Sequence, residues 1–363
     1  MSVLVTGGAG YIGSHLTADL VEAGEDVVVV DDLRSGCLSA VPATAVFVNG
    51  NAGDRLLVDR ILKEHKCSAI IHLAASTDVA DSIREPSAFI ENNCTVTSTL
   101  LDCAKEARVK QFIFSSSAAV YGEVSQNPVR ETASTIPISP YGRTKLASEH
   151  MVQHAAQSAS MSYAVLRYFN VAGSDMRHRT GQTNRNANHL IRRACQSALG
   201  THSILDIYGD NHDTPDGTGI RDYIHVNDLS QALLLTLRHL RNGYDSFIAN
   251  CGSGRGYSVR EVIACVEEVS GSVLEVRIAD PRSGEIGTIV ANVEFIRSLL
   301  GWVPKCGSLT EIVRSTFEWE RYLANGPVEN WSGTPVLASH HLAKGKRRAS
   351  SSMWRENSVP QTG

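Results

Sequence analysis

Three side chains with complementary acid–base chemistry occur in the first half of the sequence. Ser117 ends an apolar run, and Tyr141 is followed four residues later by Lys145. Residues four apart on a helix share one face, so the lysine ammonium would lie beside the phenol. A phenol with its ordinary pKa near 10 is a poor base at neutral pH, but a nearby cation favours its ionised form. The pattern predicts a tyrosine that exchanges a proton with a substrate hydroxyl.

A glycine-rich segment, residues 6–13, follows directly after the first apolar run and opens a predicted helix. Gly8, Gly10 and Gly13 match the dinucleotide fingerprint. Such glycines allow a tight turn, a close approach of the backbone to a pyrophosphate and close helix–sheet packing, with the phosphates at the helix N-terminus. The segment therefore predicts a dinucleotide site, and its expected cofactor contacts are Gly7, Gly10, Tyr11, Ile12 and Gly13.

An acidic residue at the end of the second apolar run decides which dinucleotide is expected. Asp31 follows the glycines by about 20 residues, where a carboxylate accepts from the ribose 2′-hydroxyl. A carboxylate would repel a 2′-phosphate, which favours NAD over NADP. Arg34 is a contrary signal, because an arginine in this region can hold that phosphate. We predict NAD, with Asp32 as a neighbouring contact.

The cofactor also bears on the tyrosine. Each pKa unit corresponds to about 1.4 kcal/mol, and one charge at about 5 Å with an effective dielectric constant near 20 supplies about 3 kcal/mol. Lys145 and the positive ring of NAD⁺ would together bring the pKa of Tyr141 into the working range. The Tyr-x-x-x-Lys spacing alone also occurs on ordinary exposed helix faces. It indicates a catalytic tyrosine here because it follows a predicted dinucleotide site.

Short apolar strands alternate with amphipathic stretches in the first half of the chain, which is typical of a parallel sheet covered by helices on both faces. Residues 1–170 are expected to form an α/β domain with a doubly wound parallel (Rossmann) sheet. Ser139 followed by Pro140 predicts the start of the helix that carries Tyr141. The predicted strands are residues 3–5, 27–30, 46–48, 69–72, 111–114 and 163–167.

After about residue 170 the rhythm changes. Residues 173–188 and 209–219 read as polar loops, and loops of such length are usually functional or disordered. We expect residues 171–325 to form mainly a smaller mixed α/β domain that binds the substrate. Residues 326–363 have little to bury and are expected to be a disordered tail.

The composition restricts the partners. Of 363 residues 42% are hydrophobic and 20% charged, with a formal net charge of −4, which gives no case for nucleic acid or a membrane surface. The eight cysteines are scattered, without a Cys-x-x-Cys pair or a Cys/His cluster at zinc spacing, so reduced thiols and no metal are expected. Neither a signal-peptide pattern nor a long apolar run occurs, and we expect a cytoplasmic protein.

These motifs resemble the extended short-chain dehydrogenase/reductase family and, within it, the UDP-glucose (UDP-galactose) 4-epimerases. The resemblance implies NAD-dependent inversion at C4 of a UDP-hexose through a 4-keto intermediate, with Tyr141 as acid/base. It also implies a homodimer, through helices near residues 93–107 and 141–157, and a strand after Arg221 that returns to the first domain within residues 221–250. The matching segments are residues 3–13, 112–122, 139–145, 166–170 and 208–226, and similarity extends to about residue 320.

The same resemblance implies roles for individual residues. Ser117 would bond to the reacting sugar oxygen, and Lys145 would hold the nicotinamide ribose. Asn51 stands where the family usually has an adenine-binding aspartate, and Thr77 replaces a common lysine. Asn93 matches a cofactor-pocket asparagine. The implied substrate contacts are Asn170, His189, Tyr208 stacked on uracil, Arg221 and Arg282 on the diphosphate, and Ile289 in the sugar pocket.

Two alternatives compete with epimerisation. A nucleotide-sugar 4,6-dehydratase shares the fold and the first oxidation, but related enzymes place Asp-Glu after the strand-end residue, where this chain has Ala118 and Ala119. A catalytically silent NAD-binding regulator would not need Ser117, Tyr141 and Lys145 together. Both alternatives are therefore less favoured.

Overall fold

The structure is a computed structural model that describes residues 2–202, 204–281 and 286–325. Its strands are β1 (Ser2–Thr6), β2 (Val27–Asp31), β3 (Val46–Asn49), β4 (Cys67–His72), β5 (Gln111–Ser117), β6 (Ser162–Tyr168), β7 (Asn170–Ala172), β8 (Leu205–Tyr208), β9 (Ile220–His225), β10 (Phe247–Cys251), β11 (Gly256–Ser258), β12 (Val276–Ala279) and β13 (Thr288–Ile289).

The helices alternate with these strands through most of the described chain. They are α1 (Tyr11–Glu22), α2 (Arg55–Glu64), α3 (Val79–Arg84), α4 (Pro86–Phe89), α5 (Val96–Glu106), α6 (Pro140–Ala159), α7 (Leu190–Ala198), α8 (Val226–Arg241), α9 (Val259–Ser270), α10 (Glu294–Leu300) and α11 (Leu309–Asn325). A π-helical turn, Ile90–Thr95, joins α4 to α5.

The main sheet has seven strands in the order β10-β6-β5-β4-β1-β2-β3. Every neighbouring pair in it is parallel. All five residues of β2 are buried, as a strand covered on both faces requires. The six strands predicted for the first half are confirmed, and so is the doubly wound parallel fold.

Helices cover both faces of this sheet. Apolar side chains of α1 and α8, including Leu16 and Leu233, form one core against it. Those of α2, α5 and α6, including Ile61, Leu100 and Val152, form the other. The two layers hold the carboxyl ends of the strands in fixed positions, and the ends of β1, β2 and β5 carry the residues that the sequence singled out.

A smaller mixed region is built from later segments. Strands β11 and β13 flank β9, and β7 pairs with the far end of β9. Strands β8 and β12 form a separate parallel pair, and helices α7, α9 and α11 pack against one another. Among the described helices, none is long and apolar enough to cross a membrane.

After Arg221 the chain passes from this region back to the main sheet. The strand that contains Arg221, β9, belongs to the smaller sheet and not to the main one. The chain returns to the main sheet later, through α8 and then β10, which pairs with β6. Both edges of β9 are occupied by other strands: β11 pairs with one edge and β13 with the other, while β7 pairs with its far end.

Candidate active site

A cavity of about 800 Å³ lies at the carboxyl ends of the main-sheet strands. It includes the point between β1 and β4 where the strand order reverses, the usual ligand position in open α/β sheets. Most of the residues singled out from the sequence line it: Gly7, Gly10, Tyr11, Ile12, Gly13, Asp31, Asp32, Asn51, Ser117, Tyr141, Lys145, Asn170, His189, Arg221 and Ile289.

Two other predicted site residues have a different placement. Asn93 and Tyr208 are not among the described residues that line the cavity. Asn93 lies behind its wall, where its amide accepts from Ser76 N at 2.8 Å and donates to Thr144 Oγ1 at 3.0 Å. Tyr208 ends β8, in register with Ala279 of β12. Arg282 and the predicted tail lie outside the described residues.

The glycine turn between β1 and α1 is shaped for close approach. Gly7 has φ +72°, in the left-handed region that favours glycine. A Cβ on Gly13 would lie 2.0 Å from the carbonyl oxygen of Gly7. Gly10 caps α1 without a side-chain hydrogen bond, so the amides of the first helical turn remain for a ligand. This cradle fits the diphosphate of a dinucleotide.

Asp31 is held rigidly at the end of β2. Its two carboxylate oxygens accept from Ala9 N at 3.0 Å and Leu33 N at 2.8 Å. Burial raises the pKa of this carboxyl, and the two amides oppose that shift. Arg34, the contrary signal in the sequence, donates to Asp32 Oδ2 at 2.7 Å and to Asn92 Oδ1 at 2.8 Å. The guanidinium is thus bound to an acid and an amide of the protein, which weakens the argument for a 2′-phosphate.

The acid–base group is assembled from β5 and α6. The Ser139 hydroxyl caps α6 by accepting from Gly142 N at 3.1 Å, as predicted. Tyr141, in the first turn, lies close enough to the Ser117 side chain for that hydroxyl to lower its pKa. Lys145 donates to the carbonyl oxygen of Ser115 at 2.8 Å, and its Nζ lies 6.0 Å from the centre of the Tyr141 ring. The three side chains therefore meet as the spacing predicted.

The electrostatics show why a cofactor charge matters. Burial raises the pKa of Tyr141 to about 12, and the nearby Ser117 hydroxyl opposes that shift. Burial lowers the pKa of Lys145 to about 8, while Cys94 and Glu149 oppose that change. The protein alone therefore keeps Tyr141 protonated at neutral pH. A second cation at the site is needed before the phenolate is populated, as the sequence argument required.

The opposite wall of the cavity is built around β9. Arg221 donates through Nη1 to the carbonyl oxygens of Ile220 at 3.0 Å and Gly287 at 3.2 Å. Ile289, its register partner on β13, is buried. The neighbouring Asp222 carboxylate accepts from Ser253, Gly254 and Ala291, which fixes the chain around Arg221.

The loop between β7 and α7 contributes cavity residues that sequence reasoning missed. Gln182, Asn184 and Asn186 line the cavity, and the amide-rich composition of residues 182–188 was the available signal. Arg179 fastens this loop to α1 by donating to Asp19 Oδ1 at 2.9 Å. The Tyr11 hydroxyl donates to the Gly173 carbonyl at 2.5 Å. The loop is thus held beside the glycine turn.

His189 precedes α7 at the end of this loop and lines the cavity. Desolvation by the cavity walls lowers the pKa of His189, and Arg192 lowers it further, while Asp78 opposes both. These effects favour the neutral imidazole, which can still form hydrogen bonds with a ligand.

Comparison with known proteins places this site in a family. Residues 3–252 match the family model described as the NAD dependent epimerase/dehydratase family. A UDP-glucose 4-epimerase of Azospirillum brasilense is 48% identical over 321 residues, covering 88% of this chain and 92% of the relative.

Solved structures agree in fold as well as sequence. A UDP-glucose 4-epimerase from Brucella ovis in complex with NAD has a TM-score of 0.85 and 38% identity, covering 88% of this chain and 98% of its own. One from Bifidobacterium longum in complex with NAD⁺ and UDP has a TM-score of 0.84 and 32% identity, covering 90% and 100%.

Proposed function

Because the chain belongs to the NAD-dependent epimerase/dehydratase family, we propose that it inverts C4 of a UDP-hexose and interconverts UDP-glucose and UDP-galactose. The observation that carries the proposal is that the dinucleotide cradle, the Ser117–Tyr141–Lys145 group and Arg221 line one shared cavity. The NAD and UDP found in solved relatives are ligands of the kind that such a cavity accommodates.

The residues of the cradle fit NAD. The Gly7–Gly13 turn and the first turn of α1 would take the diphosphate, and Asp31 would accept from the adenosine ribose. When bound, NAD⁺ would supply a reversible hydride acceptor for C4 and a positive charge in addition to that of Lys145. Lys145 would hold the nicotinamide ribose, while Asp32 and Asn51 lie on the adenosine side. For Asn93 we propose an indirect contribution through Ser76.

In the proposed reaction Tyr141 takes the proton of the sugar 4-hydroxyl and later gives it back. Ser117 bonds to the same oxygen and keeps it beside the phenolate. Since the 4-keto intermediate must turn within the cavity, the nucleotide has to stay anchored. We assign that anchoring to Arg221, Asn170 and His189, which line the cavity. For Tyr208 and Arg282 the assignment as further contacts rests on the family resemblance alone.

The dehydratase alternative is not favoured by the residues beside Ser117. Elimination of water across C5 and C6 needs an acid and a base next to the sugar. Ala118 and Ala119 occupy those positions and both line the cavity. A methyl group transfers no proton, so the oxidised sugar has no route to dehydration there.

The test is incubation of the purified protein with UDP-galactose, UDP-glucose and their N-acetylated forms without added cofactor, followed by NMR. We expect inversion at C4, because NAD is regenerated in each cycle and stays bound. Denaturation should release NAD and not NADP. A 4-keto-6-deoxy product, or no reaction by protein shown to carry NAD, would contradict the proposal.

Three further points remain predictions of ours. We propose residues 1–170, with 221–250 in part, as the cofactor domain and residues 171–325 as mainly the substrate domain. We also propose a homodimer through α5 and α6, and a cytoplasmic location. Sedimentation of the NAD-loaded protein would test the dimer.

A further inference from the structure

Three consecutive residues at the end of β5 each face a different residue of α6. The Ser115 carbonyl accepts from Lys145 at 2.8 Å, and the Ser117 side chain lies beside Tyr141 and lowers its pKa. Between them the Ser116 hydroxyl donates to Glu149 Oε1 at 2.5 Å. Tyr141, Lys145 and Glu149 are spaced by four, so they lie along one face of the helix.

Glu149 is anchored from the other side by Arg167. Arg167 lies on β6 directly beside Ser116 in the sheet register. Its guanidinium binds the carboxylate with both arms, Nη2 to Oε2 at 2.7 Å and Nε to Oε1 at 3.0 Å. Such a paired geometry fixes the orientation of both side chains. Arg167 also donates to the Tyr121 hydroxyl at 2.9 Å, which ties down the chain just after Ser117.

This group is almost fully removed from solvent. The exposed fractions are 2% for Ser116, 1% for Glu149 and 5% for Arg167. A buried ion pair adds little net stability compared with apolar residues of similar volume, because both charges lose hydration. Packing of α6 on β5 would therefore not by itself call for a carboxylate and a guanidinium here.

We propose that Glu149, held by Arg167 and Ser116, is a positioning residue that fixes the distance and orientation of Tyr141 and Lys145 relative to Ser117. The inference rests on the proposed epimerisation. A shift of α6 along β5 would displace all three contacts together. Displacement of a reacting group by about 1 Å can cost about 100-fold in rate.

The test compares Glu149→Gln, Ser116→Ala and the double variant as NAD-loaded proteins. Bound NAD is quantified, and kcat is expressed per loaded site so that unfolded protein does not count. We expect kcat to fall about 10- to 100-fold in Glu149→Gln, and several-fold in Ser116→Ala, with KM within about twofold. The double variant should lose less than the product of the two single effects, because both changes act on the same contact between Ser116 and residue 149.

Asp228→Asn is the matched control. The buried Asp228 carboxylate accepts from Lys305 N at 2.7 Å and Cys306 N at 3.0 Å and is not among the described cavity residues. The Asp228→Asn substitution should lower the melting temperature without changing kcat per loaded site. Wild-type kcat per loaded site in both Glu149→Gln and Ser116→Ala would overturn the proposal, and so would an equal loss in Asp228→Asn. If Glu149→Gln does not fold, Ser116→Ala decides. If the wild-type, NAD-loaded protein itself shows no turnover, that result would contradict the proposed function and not the role of Glu149.

Discussion

The two walls of the cavity are built in different ways. The part of the cofactor wall that would hold the diphosphate comes from one segment: the turn between β1 and α1, with Asp31 one strand later. The substrate wall combines Asn170 on β7, His189 before α7, Arg221 on β9 and Ile289 on β13. Its parts are far apart in sequence and meet only through the smaller sheet and the β7–α7 loop.

This difference shows what determines each wall. On the cofactor side the shape of the wall is set mainly by local backbone geometry, since a Cβ at Gly13 would clash with the Gly7 carbonyl oxygen. On the substrate side the positions depend on tertiary contacts, such as the Asp222 carboxylate that secures the chain around Arg221. Changes to the first wall should therefore weaken cofactor binding, and changes to the second should alter substrate selectivity.

The largest effect is expected where the two walls meet. Tyr141→Phe keeps the ring and removes only the oxygen that exchanges the proton. We expect kcat to fall by about 10²–10⁴, with little change in KM and with bound NAD retained. Steady-state kinetics and quantification of released NAD check this. Near-normal turnover would remove Tyr141 from the role of base.

Lys145→Ala should affect both the cofactor and the base. One charge 6.0 Å from the tyrosine ring supplies about 3 kcal/mol at an effective dielectric constant near 20, or about two pKa units. The ammonium favours the phenolate, so its loss raises the pKa of Tyr141. The acid limb of the kcat–pH profile should move to higher pH, so that activity at pH values below this limb falls about 100-fold. The fraction of protein that retains NAD should also drop. An unmoved acid limb would contradict the electrostatic role.

Gly13→Ala tests the local character of the cofactor wall. Its methyl group would force the turn to shift, and overpacking of this kind costs about 1–3 kcal/mol. We expect NAD to bind about 10- to 100-fold more weakly, measured by retention after gel filtration. Gly307→Ala is the control, because a Cβ there meets Pro304 only at an ordinary 3.7 Å. Equal loss in both variants would mean that the turn is not specially constrained.

These contrasts also explain how much the sequence could reveal. The cofactor wall was predictable because glycine spacing and a strand-end acid express a local geometry. Arg221 and Ile289 were accessible only through family resemblance, since nothing in their own neighbourhood signals a shared cavity. The sequence did not reveal that the β7–α7 loop lines the cavity or that Glu149 pairs with Arg167, because long-range packing creates both arrangements. The pairing of β9 with β7, β11 and β13 was not predicted for the same reason: a short strand does not reveal its partners.

The smallest effect is expected at Ile289. Its side chain is smaller than that of tyrosine but still occupies volume that an N-acetyl group would need. Non-acetylated UDP-sugars should therefore be preferred over N-acetylated ones. Ile289→Gly enlarges that wall and should shift the ratio of kcat/KM values about tenfold toward the acetylated pair, since pocket changes of this size are worth about 1–3 kcal/mol. NAD retention should not change. A wild-type preference for acetylated sugars would refute this assignment.

The most direct test of the account follows the hydrogen on C4. UDP-galactose carrying deuterium at C4 is incubated in ordinary water with the protein and no added cofactor, and the UDP-glucose formed is analysed by NMR and mass spectrometry. If hydride leaves C4 and returns to the opposite face within one active site, the deuterium remains at C4 of the product. Replacement of that deuterium by solvent hydrogen would show that C4 is inverted by proton exchange, and the NAD-dependent mechanism would be contradicted.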